Sequence, residues 1–194
     1  MGNREALLNG AKKSLLEKGY DRTTVRDITA AAGGVSMAAI GYHFGSREAL
    51  LTAALVEALE EWGAAVQGST VTVEATAKPV NRGRYRRWWS LVIKSFREQR
   101  PLWLASVEAF LQADRSPAVR EQLARGNREA RRGLSALLLG IGEDKVDTKT
   151  ARSIGSVQIA LISGLMIQWL NDPDHAPSAE EVVLGLREIA ARLG

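Results

Sequence analysis

Apolar residues recur along nearly the whole chain at spacings of three and four, and strict alternation never outlasts a few positions. That pattern predicts helices throughout and no sheet. Residues 4–18 set Leu8, Ala11 and Leu15 on one face and stop at Gly19, a natural helix end. Thr24-Val-Arg-Asp27 has capping-box spacing, with Asp for the usual Glu, and opens a short helix to about Ala32. Gly33-Gly34 breaks the chain, and Ser36 can cap a second short helix through about Phe44. After Gly45, Ser46 caps a longer amphipathic helix to about Ala65.

Residues 67–81, QGSTVTVEATAKPVN, read as a linker or loop, with Val71-Thr-Val73 a candidate scrap of strand. Beyond it, Tyr85, Trp88, Trp89, Val92, Ile93 and Phe96 form one strongly apolar helical face. Pro101 suits the first turn of a helix reaching about Ala113, and Ser116-Pro117 opens another to about Leu139. A charged, glycine-containing loop covers 140–147. A helix from about Thr148 to Leu170 follows, apolar on nearly every side. Ser178-Ala-Glu-Glu181, again with capping-box spacing, starts a last helix to about Leu193. The expectation is an all-α chain of about nine helices.

Composition narrows the chemistry. With 194 residues, 45% of them hydrophobic, the chain can bury a real core. It contains no cysteine, which excludes disulfides, thiolate metal sites and thiol catalysis. Its two histidines, His43 and His175, do not make a zinc site, and no other metal or cofactor is expected. No carboxylate pair, nucleophile–base set or phosphate loop stands out, so the chain is not expected to be an enzyme. The N-terminus, MGNREALLNGAKK, is charged where a signal peptide needs an apolar run. The most apolar segment, Val157 to Leu170, is too short to span a bilayer and is interrupted by Gln158, Ser163, Gly164 and Gln168. A soluble, cytoplasmic protein without membrane contact is expected.

Two short helices joined by a glycine-containing turn, with a helix before and after, form a helix-turn-helix arrangement. In that motif the second helix lies in the major groove, its N-terminal residues near base edges. Small residues are needed there, and Ser36, Ala38 and Ala39 meet that need. The pattern alone also occurs in structural bundles.

The residues carry more. The stretch GYDRTTVRDITAAAGGVSMAAIGYHFGSREALLTAAL, from Gly19 to Leu55, resembles the N-terminal domain of the tetracycline-repressor (TetR) family. The matching features are Gly19-Tyr20, Thr23-Thr24-Val25, Asp27-Ile28, Gly34-Val35-Ser36, Tyr42-His43-Phe44 and Ser46-Arg47-Glu48-Ala49-Leu50. The rest of the chain is similar in architecture, with a Gly164-to-Pro173 segment of familiar type. The resemblance implies roles for a DNA-binding set of Thr24, Ser36, Met37, Ala38, Tyr42, His43 and Arg47. Thr24, Tyr42, His43 and Arg47 would hold phosphates, while Met37 and Ala38, beside Ser36, would face bases. Ile28, Val35, Ile40, Phe44 and Leu50 would form the small core beneath them. Against the family pattern there is one extra residue between Ile28 and Ser36, giving the doublet Gly33-Gly34. Gly41 stands where an aromatic phosphate contact is common, and Met37 where a lysine is.

Net charge is +4, but its distribution is uneven. Residues 1–66 carry 7 basic and 8 acidic residues, 67–132 carry 14 and 6, and 133–194 carry 5 and 8. The basic excess therefore lies outside the motif. Arg82, Arg84, Arg86 and Arg87 read as a solvated helix face, with DNA backbone contact or an anionic ligand as alternatives. A binding protein that kept the head's fold without DNA affinity is the competing reading of that balance.

The aromatic stripes read as core, and the resemblance implies that some of them wall a small-molecule pocket. Ligand-site candidates are Trp62, Trp88, Trp89, Phe96, Trp103, Phe110, Met166 and Trp169. The near-uniform apolarity of 154–170 needs two buried sides, supplied by the chain's own core and either a partner chain or more of the same protomer. The resemblance favours a homodimer, with Ile154, Leu161, Ile162, Leu165, Val182 and Leu186 at the interface. Gly155, Gly164, Ala160 and Ser163 would allow close helix approach. The expected organisation is a three-helix DNA-binding head at 1–45 and a helical ligand-binding and dimerisation body at 46–194, joined by a linking helix at 46–66. The expected activity is repression from a palindromic operator on double-stranded DNA, relieved by a small molecule.

Overall fold

The computed structural model describes residues 2–70 and 81–193. Among these the chain forms α1 (Asn3–Lys18), α2 (Val25–Ala31), α3 (Ala38–Phe44), α4 (Arg47–Thr70) and α5 (Arg82–Glu98). Then come α6 (Arg100–Arg115), α7 (Pro117–Leu139), α8 (Thr148–Asn171) and α9 (Ala179–Leu193), with no strand among the described residues.

The local signals act where they were expected. The Thr24 hydroxyl accepts from the Asp27 N–H and the Asp27 carboxylate accepts from the Thr24 N–H, completing the capping box of α2. Ser46 caps α4 by accepting from the Ala49 N–H at 3.0 Å. Ser178 and Glu181 form the second box, before α9. Helix α3 starts two residues past Ser36, whose hydroxyl accepts from the Ala38 N–H at 3.3 Å. The doublet Gly33-Gly34 ends α2 with both residues at positive φ, 79° and 85°. The Gly34 N–H reaches back to the Thr29 carbonyl, so the extra residue is used in closing the helix end.

One boundary moves. Helix α4 runs on to Thr70, past the expected end near Ala65, because Val66 is buried and Ser69 returns its hydroxyl to the Ala65 carbonyl. The candidate strand at Val71–Val73 lies outside the described residues. Helix α8 contains a π turn at Ala151–Gly155 and totals 24 residues. By length and composition that is enough to cross a membrane, whereas the expectation of a short segment considered 157–170 alone. In the folded chain, Gln158 of α8 is buried and hydrogen-bonded to the Tyr85 hydroxyl of α5.

The chain divides into two compact units, Met1–Trp62 with Gln99–Gly126, and Gly63–Glu98 with Asn127–Gly194. In the first, Leu7, Ala11 and Leu15 of α1 meet Ile28 of α2, Ile40 of α3 and Leu50, Leu51 and Leu55 of α4. Helix α6 joins this core through Leu102, Ala105 and Ala109, a stripe whose alanines permit close approach. Each fully buried leucine contributes about 2 kcal/mol. In the second unit α5 buries Trp88, Trp89, Val92, Ile93 and Phe96, and α8 buries Ile162, Leu165, Met166 and Leu170.

Candidate nucleic-acid interface

The N-terminal unit presents an exposed edge built by two short helices. Ile28 and Ile40 are buried beneath it, with Val35 and Phe44 packed against the same core, which fixes α2 against α3. Above them Ser36, Ala38, Met37 and Tyr42 face outward, Met37 56% and Tyr42 86% exposed. A tyrosine ring left that open has no core to serve, and its hydroxyl suits a phosphate oxygen. His43 is half-buried, its ring edge-on to Tyr42 at 4.9 Å and to Phe44 at 6.4 Å. The guanidinium of Arg4 lies 5.2 Å from the centre of the Phe44 ring, covering the end of α3.

Thr24 and Arg47 are differently engaged. The Thr24 hydroxyl donates to the Asp27 carboxylate at 2.7 Å, so its one proton is committed to the cap. The Arg47 guanidinium donates to the main-chain carbonyls of Tyr20, Asp21 and Thr23 and to the Glu48 carboxylate.

The cap also responds to acid in a defined way. The Lys18 ammonium, then the Thr24 hydroxyl and N–H, hold the Asp27 carboxyl well below the usual carboxylate range. A group with a depressed folded pKa stabilises fully above its unfolded pKa, about 3.9 for Asp, and loses that contribution progressively as pH falls from there through the folded value. Thermal melts of the wild type and Asp27→Asn should therefore differ by a constant amount from pH 8 to pH 5. The gap should close only in strongly acidic buffer. A gap that closes by pH 5 would show that Lys18 and Thr24 do not hold the carboxylate.

The aromatic candidates fall into separate groups. In the first unit Trp62 and Trp103 meet edge to face at 4.7 Å, while Phe110 stands 72% exposed on α6. In the second, Trp89 is fully buried, edge-on to Trp88 and Tyr85, while Tyr85 and Trp88 lie parallel. Phe96 and Met166 are buried, and Trp169 is half-buried with its N–H given to the Pro177 carbonyl at 3.1 Å. The indole N–H groups of Trp62 and Trp89 are buried without an acceptor among the described residues. A recess of about 10 Å³, room for roughly one water, lies between Tyr85, Trp88, Gln158, Arg84 and three leucines of α7. Tyr85 and Gln158 are functional candidates that helical spacing could not separate from ordinary core.

Of the six interface candidates, Ile162, Leu165 and Val182 are buried within the chain, and Ile154, Leu161 and Leu186 are half-buried. The large apolar residues left exposed on α8 and α9 are Val157, Ile167, Leu184, Ile189 and Leu193. Gly155 packs on the Arg131 main chain of α7, while a Cβ at Gly164 would meet nothing within 4 Å.

A recognition helix with an open N-terminal end, braced by a second short helix, is the reading head of a DNA-binding regulator. Residues 7–54 match the family model for bacterial regulatory proteins of the tetR family, and residues 87–191 match that for the tetracyclin repressor-like C-terminal domain. The chain belongs to the TetR family of DNA-binding transcriptional regulators. No curated protein matches it. Among solved structures it is similar in fold to the multidrug binding protein EbrR complexed with proflavin. There identity is 24%, the match covers 96% of this chain and 99% of that one, and the TM-score is 0.66. EbrR complexed with imidazole gives 22% identity, 96% and 95% coverage and a TM-score of 0.67. A TetR transcription regulator from Haloarcula marismortui ATCC 43049 gives 20% identity, 98% and 95% coverage and a TM-score of 0.61.

Proposed function

We propose that this regulator is a cytoplasmic repressor that binds a palindromic operator as a homodimer and leaves it when a small molecule enters the body. The exposed edge of Ser36, Met37, Ala38 and Tyr42 carries the reading, since it offers small side chains to bases and a hydroxyl to phosphate. Residues 1–45 read DNA, with His43 and Thr24 at the rim, and residues 46–194 sense the ligand and dimerise, the helix at 46–66 linking the two.

The outer faces of α8 and α9 support the dimer. Val157, Ala160, Leu161, Gly164 and Ile167 recur at helical spacing, and Leu184 and Ile189 add to the apolar surface of α9. Two-fold symmetry in the protein is what a palindrome requires. Trp62 and Trp89, whose buried N–H groups have no acceptor among the described residues, support ligand binding, because such groups gain a partner when an acceptor arrives. EbrR was solved with proflavin, a precedent in a protein of the same fold. A ligand pocket is usually at least about 300 Å³, more than the recess beside Tyr85 and Gln158 holds, so a ligand entering there widens it. A ligand that prefers the opened form shifts the population away from the DNA-competent one.

Selection from a random duplex pool at two salt concentrations tests this reading. The expected result is an enriched palindrome, bound less tightly at higher salt as counterions are displaced. Tyr42→Ala should weaken binding to that duplex about tenfold, the cost of a lost phosphate hydrogen bond. Its melting temperature should not move, as expected for an exposed site. No enrichment by folded, ligand-free protein would end the repressor proposal.

A further inference from the structure

We infer that Glu108 of α6 is a positioning residue for DNA binding, holding the Tyr20–Thr23 turn that leads into α2 while Arg47 grips the same turn from α4. The inference rests on the DNA-binding function of the head, and the partners of one short turn carry it.

A turn between helices leaves its N–H and C=O groups without helical partners. Here other elements supply them. The Tyr20 N–H donates to Glu108 Oε2 at 2.6 Å and the Asp21 N–H donates to the same oxygen at 3.3 Å. One turn further along α6, Gln112 donates to the Asp21 carboxylate at 3.3 Å. From the other side Arg47 Nη2 donates to the Tyr20 carbonyl at 2.7 Å and the Asp21 carbonyl at 3.0 Å, and its Nε donates to the Thr23 carbonyl. The Thr23 hydroxyl closes the turn onto the Gly19 carbonyl at 2.6 Å. The Tyr20 ring is wholly buried, its hydroxyl against the Glu48 carbonyl and the Thr52 hydroxyl.

Glu108 is half-buried beside Ala105 and Ala109, the residues by which α6 joins the core. A carboxylate there loses water, and charge-assisted bonds from two main-chain N–H groups offset that loss. Thr24, the cap of α2, follows the turn directly, so the turn sets where α2 begins and how it presents α3. Base reading tolerates errors of only about 0.5 Å. Glu108 lies in the stretch matched by the C-terminal family model, whereas the turn it holds lies in that matched by the N-terminal one.

The test uses the full chain and the duplex that the wild type selects from a random pool. Glu108→Leu removes the acceptor, and a turn competent one time in ten raises the apparent Kd about tenfold. Glu108→Gln keeps one oxygen acceptor and should stay within about threefold of wild type. Exchange of the Tyr20 and Asp21 amide protons should quicken in Glu108→Leu while α4 keeps its protection. Arg47→Ala should weaken binding without changing the slope of log K against log salt. A slope shallower by about one would mark a lost phosphate contact and overturn the clamp.

Wild-type affinity in Glu108→Leu, or equal losses in the Gln and Leu variants, overturns the inference while leaving the DNA-binding reading intact. If Glu108→Leu does not fold, Glu108→Asp decides: it withdraws the oxygen by one methylene, and unchanged affinity overturns the inference. A folded wild type that selects no duplex overturns the operator reading and this inference together.

Discussion

Gly10→Val is expected to destabilise the N-terminal unit by about 3 kcal/mol and to abolish DNA binding at ordinary protein concentrations. Gly10 is buried in α1 where α2 crosses it. An added Cβ would lie 2.6 Å from the Ile28 carbonyl oxygen and 2.8 Å from the Ala32 nitrogen. Those two atoms form the hydrogen bond that ends α2, so neither can turn aside. Two opposing terms decide the sign. Replacing a mid-helix glycine by alanine gains about 1 kcal/mol of helix propensity. Forcing a methyl group against main chain costs about 1–3 kcal/mol, since α2 must shift as a body. For alanine the clash should win narrowly, and for valine decisively. Gly63 supplies the control, because a Cβ there meets nothing within 4 Å. Gly63→Ala should stabilise by about 0.5–1 kcal/mol. Denaturant melts of the three variants measure the signs, and a Gly10→Val protein as stable as wild type would refute the crossing.

Gly155→Ala should have a comparable or larger effect on the second unit. Its added Cβ would overlap the Arg131 carbonyl oxygen and lie 2.7 Å from both the carbonyl carbon and Cα of that residue. The glycine closes the π turn of α8, whose register is also set by the Ser135 hydroxyl reaching the Thr150 carbonyl. Alanine would push α8 away from α7 and disturb the packing of the small cluster of Ala136, Val146 and Ala151. A cost of about 3 kcal/mol lowers the melting temperature by about 6–12 °C for a chain of this length. That is a large share of the 5–15 kcal/mol typical of folded proteins. Unchanged melting of Gly155→Ala, measured beside Gly164→Ala, would show that the two helices are not held at this distance.

These glycines show how little chemistry separates a neutral position from a critical one. On spacing alone, Gly155 and Gly164 read as equivalent sites for close helix approach, both offered to a partner chain. Folded, Gly155 meets main chain of its own protomer and Gly164 faces outward. Trp89 and Phe110 repeat the lesson: each is an aromatic on an amphipathic helix, yet one is wholly buried and the other 72% exposed. Arg47 belongs to the motif by its position, but its partners in the fold are carbonyls of a turn more than twenty residues earlier.

Helices, caps and the order of elements were legible because their causes are local. A capping box needs residues three apart, a helix face needs a repeat of three and four, and a glycine doublet at positive φ needs only the turn it ends. The family, too, was legible, since its reading head occupies one continuous stretch. Glu108 was not: nothing near it in the chain marks it off from any acid on a helix, and its partner is 88 residues away. Where α6 lies against α1, which glycine meets main chain and which aromatic is sealed depend on long-range packing. Burial and close approach are properties of pairs of elements, and a pattern along one element leaves the pairing open.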